Sequence, residues 1–189
     1  GERGAYPAWE YREKSHLRDV MVRVYEDMYG KSPEVIIIHA GLDQPEFVEI
    51  LVDECYKCKA REVTVQWSYQ PLEKIHTRYQ SVKTLGEVKQ WQKERQQHYC
   101  DALPCRIHII SEDPDGLKGM NMAKVAKARQ KTYPILKGYI DRRDGKQQWT
   151  IAAVPGKAWA KKVFPGERTS VAVEKLWEAI LSTSRVCED

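Results

Sequence analysis

The side chains in this 189-residue chain best suited to chemistry are its cysteines and histidines. Cys55-Tyr56-Lys57-Cys58 has the spacing of a redox dithiol. Such a pair works at a helix N-terminus, where the dipole lowers a thiol pKa. Here the pair falls late in a predicted helix, where the dipole disfavours a thiolate, so packing is the expected role. Structural zinc would need a second ligand pair. His98-x-Cys100 and Cys105-x-x-His108 supply one only if the turn between them brings them together. His108 alternating within a strand needs no metal to explain it, and His76 stands apart. Glu112, Asp113 and Asp115 lie in the turn Ser111-Glu112-Asp113-Pro114-Asp115-Gly116, where turn chemistry accounts for them. His39 follows the apolar run Val35-Ile36-Ile37-Ile38. Gly-rich phosphate loops, a Gly-x-Ser-x-Gly elbow and His-Glu-x-x-His are absent.

The elements that position these residues alternate in type. Ser15 caps a predicted helix whose stripe is Leu17, Val20, Met21, Val24 and Met28, stopped by Gly30. Val35 to Ile38 reads as a strand buried on both faces. Pro45 opens a helix with Phe47, Ile50, Leu51 and Cys58 on one stripe. A second strand runs from Glu62 to Trp67, alternating Val63, Val65 and Trp67 with Thr64 and Gln66. Pro71 opens a short helical segment to Tyr79, and Thr84 is expected to cap a longer polar helix to Tyr99. The third strand is Arg106 to Ile110. Asn121 caps the next helix, which Pro134 should kink or break. A fourth strand follows at 148–154, then an irregular segment anchored by Trp159 and Phe164, then a helix over 170–182. The pattern predicts a layered α/β domain with a mainly parallel sheet flanked by helices on both faces.

Composition excludes several classes. With 31 basic and 27 acidic residues the net charge is +4, and the two signs are interleaved along the chain. That is a mixed solvated surface rather than the basic patch of a nucleic-acid binder. No apolar run approaches the roughly 18–20 residues of a membrane span. The N-terminus lacks the apolar core of a signal peptide. Five cysteines in a chain able to bury its own core are expected to be reduced thiols in a cytoplasmic protein.

Two resemblances refine this. The stretch from Gln148 to Pro155, then Ala158 to Pro165, then Val173 to Ile180 resembles the end of the N-terminal domain of the thermophilic-type metallo-aminopeptidases, the aminopeptidase T and S group. The likeness runs from about Pro45 onward, through Glu46-Phe47-Val48, Ala60-Arg61-Glu62-Val63, Trp67-Ser68 and Asp113-Pro114-Asp115. Gly156-Lys157 and Gly166 to Thr169 depart from it, as loop changes. Residues before about Leu42 (Tyr6 to Tyr11, His16 to Asp19, Tyr29-Gly30-Lys31 and Ile38-His39-Ala40-Gly41-Leu42) resemble the C-terminal region of the aminoacyl-histidine dipeptidases, the PepD-like group. The expected organisation is therefore a chimera: a dipeptidase-like helix–strand segment over 1–42 and a metallo-aminopeptidase N-terminal-like α/β unit over 43–189, folded together.

The dipeptidase resemblance implies that His39 matches a zinc-ligand histidine. A catalytic zinc needs about three protein ligands, and that family's carboxylate partners come from elsewhere in its chain. His39 is expected to be hydrogen-bonded or solvent-facing. Both families use divalent metals such as zinc or cobalt. The aminopeptidase resemblance implies a two-metal site held by Glu, His and Asp of a C-terminal domain; none of those segments is present, so no catalytic or metal residue and no cofactor is assigned here. The leading expectation is a non-catalytic α/β domain whose partner in the parent family is that metal-binding domain, with a homodimer as the expected assembly. The alternatives are part of an active metal-dependent aminopeptidase, or a small-ligand module. In the last case His39, Trp67 and Ser111 would point into the crevice beyond the strand C-termini.

Overall fold

The computed structural model describes residues 35–183; the helix expected over 15–30, and Cys187, lie outside them. Four strands are formed: β1 (Val35–Gly41), β2 (Glu62–Ser68), β3 (Cys105–Ile110) and β4 (Trp149–Ala153). They make one parallel sheet in the order β2-β1-β3-β4. Central β1 is apolar on both faces, as a doubly covered parallel strand must be, and Ile36, Ile37 and Ile38 are all buried.

One face carries the main core. Ile36, Ile38 and Ala40 of β1 and Ile107 and Ile109 of β3 point to it. Helix α1 (Pro45–Lys57) covers it with Phe47, Val48, Leu51 and Cys55, and Trp177 of the last helix closes it. Each large aliphatic buried this way is worth roughly 1.5–3 kcal/mol. The residues linking β1 to α1 also tie the strand ends together. Ser111 Oγ donates to Asp43 Oδ1 at 3.0 Å, and Gln44 Nε2 donates to Pro155 O at 3.2 Å.

Beyond β2 come α2 (Gln70–Tyr79), the one-turn α3 (Val82–Leu85) and α4 (Gln90–Ala102); α5 (Met122–Arg143) joins β3 to β4. Helices α4 and α5 pack together, and Gln66 of β2 donates to the Tyr99 hydroxyl of α4, which places them on the second face. Thr84 is not the cap of the long helix. Ser81 caps α3 by accepting from Thr84 N–H at 3.0 Å, and α4 starts only at Gln90 after Lys89. Asn121 caps α5 through Lys124 N–H at 3.0 Å. Pro134 does not break α5, which runs 22 residues in all and continues beyond it to Arg143. Pro134 and Gln130, whose carbonyl loses its helical partner, are both exposed, so that carbonyl lies open to solvent.

The segment expected to be irregular is instead α6 (Lys157–Val163). It packs on α7 (Thr169–Thr183) through a small second core of Ala160, Ala172 and Leu176, with Trp159 and Phe164 against it. Gly156, read above as a loop change, stands at the sheet's end. A Cβ there would lie 2.0 Å from the Ser111 carbonyl oxygen.

Candidate functional site

The second sheet face is polar where the first is apolar. Register puts Gln66, His39, His108 and Ile151 in one row across the four strands, and Thr64, Ile37, Arg106 and Trp149 in the row before it. Alternation explains the segregation: in Cys105-Arg106-Ile107-His108-Ile109 the isoleucines take the core, and Arg106 and His108 take the other face. His39 and His108 therefore stand side by side, their rings stacked at 4.6 Å and 6°.

Cations surround the pair. Arg106 Nη2 lies 3.2 Å from His39 Nε2. A guanidinium only donates, so this nitrogen is the acceptor and Nδ1 carries the proton in the neutral ring. Burial, then Arg106, His108 and Arg95, hold His39 down to about 4, so it is neutral near pH 7. Burial and Arg106 also lower His108. Arg106 is itself lowered by burial and by Arg143 of α5. Arg143 is buried, donates to Gln96 Oε1 at 2.9 Å and lies 5.9 Å from the Tyr99 ring. Arg95 sits over the Trp91 ring at 5.2 Å.

Two hollows open on this face. One, of about 520 Å³, lies at the C-terminal ends of β1, β2 and β3, between His39, Gln66, Ser68, Arg95, His108 and Glu112. A neighbour of about 410 Å³ shares His108 and Ile110 and adds Arg106, Trp149 and Ile151. Strand order reverses direction between β1 and β3, so the first hollow is at the topological switch point, the usual ligand crevice of open α/β sheets. Of the three residues expected at this crevice, His39 and Trp67 line it. Ser111 is instead buried and bonded to Asp43.

The other candidates do not converge. Cys55 is fully buried in α1, with its thiol pushed up to about 12 by burial, and Cys58 is the residue that ends that helix. Cys105 is likewise raised by burial, to about 11. Cys100 Sγ donates to Tyr139 O at 3.4 Å, and His98 is exposed beside Tyr99. The mixed histidine–cysteine site does not form: among the described residues no three His, Cys, Asp or Glu side chains gather around a common point. Nor does the His39–His108 pair suit a divalent ion, because Arg106 occupies the Nε2 lone pair of His39 and the neighbouring charges are positive. The arginines were missed in the sequence. Alternation of Arg106 and His108 with isoleucines was the available signal, but Arg95 and Arg143 come from helices whose placement it does not give.

Comparison with known proteins places this architecture. The family model described as thermophilic metalloprotease (M29) matches residues 17–189. Aminopeptidase PepS of Streptococcus thermophilus is 31% identical over 81% of this chain and 38% of its own length. Aminopeptidase AmpS of Bacillus subtilis is 29% identical over 82% of this chain, again 38% of its length. The solved structure of wild-type AmpT from Thermus thermophilus superposes with a TM-score of 0.75 at 26% identity, covering 92% of this chain and 43% of that one. The chain thus spans about two-fifths of the length of the relatives it matches. A dipeptidase origin for 1–42 gains no support, since the metalloprotease match itself begins at residue 17. On these matches and on its four-stranded parallel sheet, the chain belongs to the M29 thermophilic metalloprotease family.

Proposed function

We propose that this chain is a non-catalytic α/β domain of a metallo-aminopeptidase, one that packs against a metal-holding part and does not itself hydrolyse peptides. The observation that carries this is the chemistry of the second sheet face. It offers two imidazoles, one of them committed to Arg106, within a set of guanidiniums. A two-metal hydrolase needs several carboxylates converging on a dry pocket. The aminopeptidase names of the relatives, and the share of their length that this chain spans, fit a domain that serves a larger enzyme.

Helix α2 offers a surface suited to such a partner. Leu72, Ile75 and Tyr79 fall on one stripe of α2 at i, i+3, i+7 and are exposed, Tyr79 by 78%. An uncovered apolar stripe of this kind marks a contact with another domain or copy; we assign it to the metal-holding part, with a homodimer forming through it when that part is missing. The protonated thiols of buried Cys55 and partly buried Cys105 suit a reducing cytoplasm. The test is turnover: the 189-residue chain, supplied with zinc or cobalt, should release no amino acid from an unblocked peptide. Release above the metal-only control would refute the reading.

A further inference from the structure

We propose that the two adjoining hollows where β1 and β3 diverge bind an oxyanion, the carboxylate or phosphate group of a small molecule, with Arg95 and Arg106 as its cations and the His39–His108 pair between them. Four observations converge on it. Arg95, Arg106 and Arg143 have no carboxylate partner among the described residues. The charges act on one another with the same sign: Arg106 and Arg95 on His39, Arg106 on His108, Arg143 on Arg106. Of these, Arg106 is partly buried and Arg143 buried, and holding two like charges close together away from bulk water is costly unless an opposite charge offsets it. Glu112 is the single carboxylate lining the two hollows, and against Arg95 and Arg106 it leaves one positive charge in excess.

The second observation is an unused donor. Arg106 Nε–H is shielded from solvent and has no hydrogen-bond partner. Buried guanidinium donors are normally satisfied, and an oxyanion is the kind of partner a guanidinium N–H takes. Third, the two adjoining hollows of about 520 and 410 Å³ fall within the size range of small-molecule sites. Fourth, Ile151 and Trp149, 52% and 67% exposed, flank Arg106 and His108 on the same sheet face. They offer an apolar floor for the body of a molecule whose charged end meets the arginines. Gln66 and Ser68, toward the C-terminal end of β2, add neutral polar groups to the lining.

The ligand class is therefore an organic acid or phosphate with an apolar portion. Isothermal titration calorimetry on the 189-residue chain tests it with three probes: inorganic phosphate, N-acetylphenylalanine, and the uncharged amide of N-acetylphenylalanine. At least one of the two anions should bind with a submillimolar Kd, and which one does names the source of the oxyanion. The amide should bind at least tenfold more weakly than the acid when the acid is the ligand. Arg106→Gln and Arg95→Ala should each weaken the binding anion tenfold or more, while Arg168→Ala, on the far helix α7 side, leaves it unchanged. Arg95 is exposed, so its variant keeps the test decisive if Arg106→Gln does not fold. Absence of binding by both anions at 10 mM or so would overturn the proposal. So would equal binding of the amide and the acid, or binding that neither arginine substitution alters.

Discussion

Replacing His39 by Gln should remove an acid-sensitive element of stability. Gln still offers Arg106 an acceptor but cannot take a proton. In the folded protein His39 is held at about 4 by burial and by Arg106, His108 and Arg95, against 6.5 when the chain is unfolded. The unfolded state thus takes up its proton first as pH falls. Stability from this group is complete above about 6.5, declines through the window down to about 4, and changes no further below it. At about 1.4 kcal/mol per pH unit the window sets a ceiling of about 3 kcal/mol. His39 is only partly buried, and solvent screening brings the expected loss to about 1–2 kcal/mol. Urea unfolding at pH 7.5 and pH 4.5 would measure it. The native chain should lose about 1–2 kcal/mol more between those values than His39→Gln does. A smaller slope remains in the variant, because His108 is also lowered. Parallel stability curves for the two proteins across the window would refute the electrostatic picture of this face.

Other substitutions probe the packing. Gly156→Ala places a methyl 2.0 Å from the Ser111 carbonyl oxygen. It should cost about 1–3 kcal/mol, read as a lower urea midpoint. Leu51→Ala, deep in the main core, should cost about 2–5 kcal/mol in the same assay. Ile75→Glu should leave stability within about 0.5 kcal/mol while reducing any dimer seen by light scattering, since Ile75 is exposed on the α2 stripe. An unchanged dimer would move the contact elsewhere.

The sheet was readable from the sequence because its strands carry strong local signals. Four apolar residues between turn formers give β1, and strict alternation gives β2. Asn121 was readable as a cap for the same reason, its side chain acting three residues away. Thr84 misled because Ser81 sits three residues upstream and takes the capping role first. Pro134 misled because a proline on an exposed helix face leaves the carbonyl four residues before it, here that of Gln130, open to solvent rather than buried without a partner. Helix α6 was missed because Pro155, Gly156 and Pro165 bracket only seven helical residues, too few to show a period. The site was the least legible part. His39 and His108 meet only because β3, rather than β2, follows β1 in the order toward β4, a fact of topology that no local pattern encodes. Arg95 and Arg143 act there through helix placement, which depends on crossovers over tens of residues.

The central claim is that these residues position a catalytic partner rather than hold the catalytic ions. Metal stoichiometry tests it most directly. The chain would be loaded with excess zinc or cobalt, dialysed to remove loosely held ions, and analysed by elemental mass spectrometry. Well below one ion per chain is expected, with His39→Gln no different from the native protein. Two ions retained per chain, lost on replacing His39, would contradict the account.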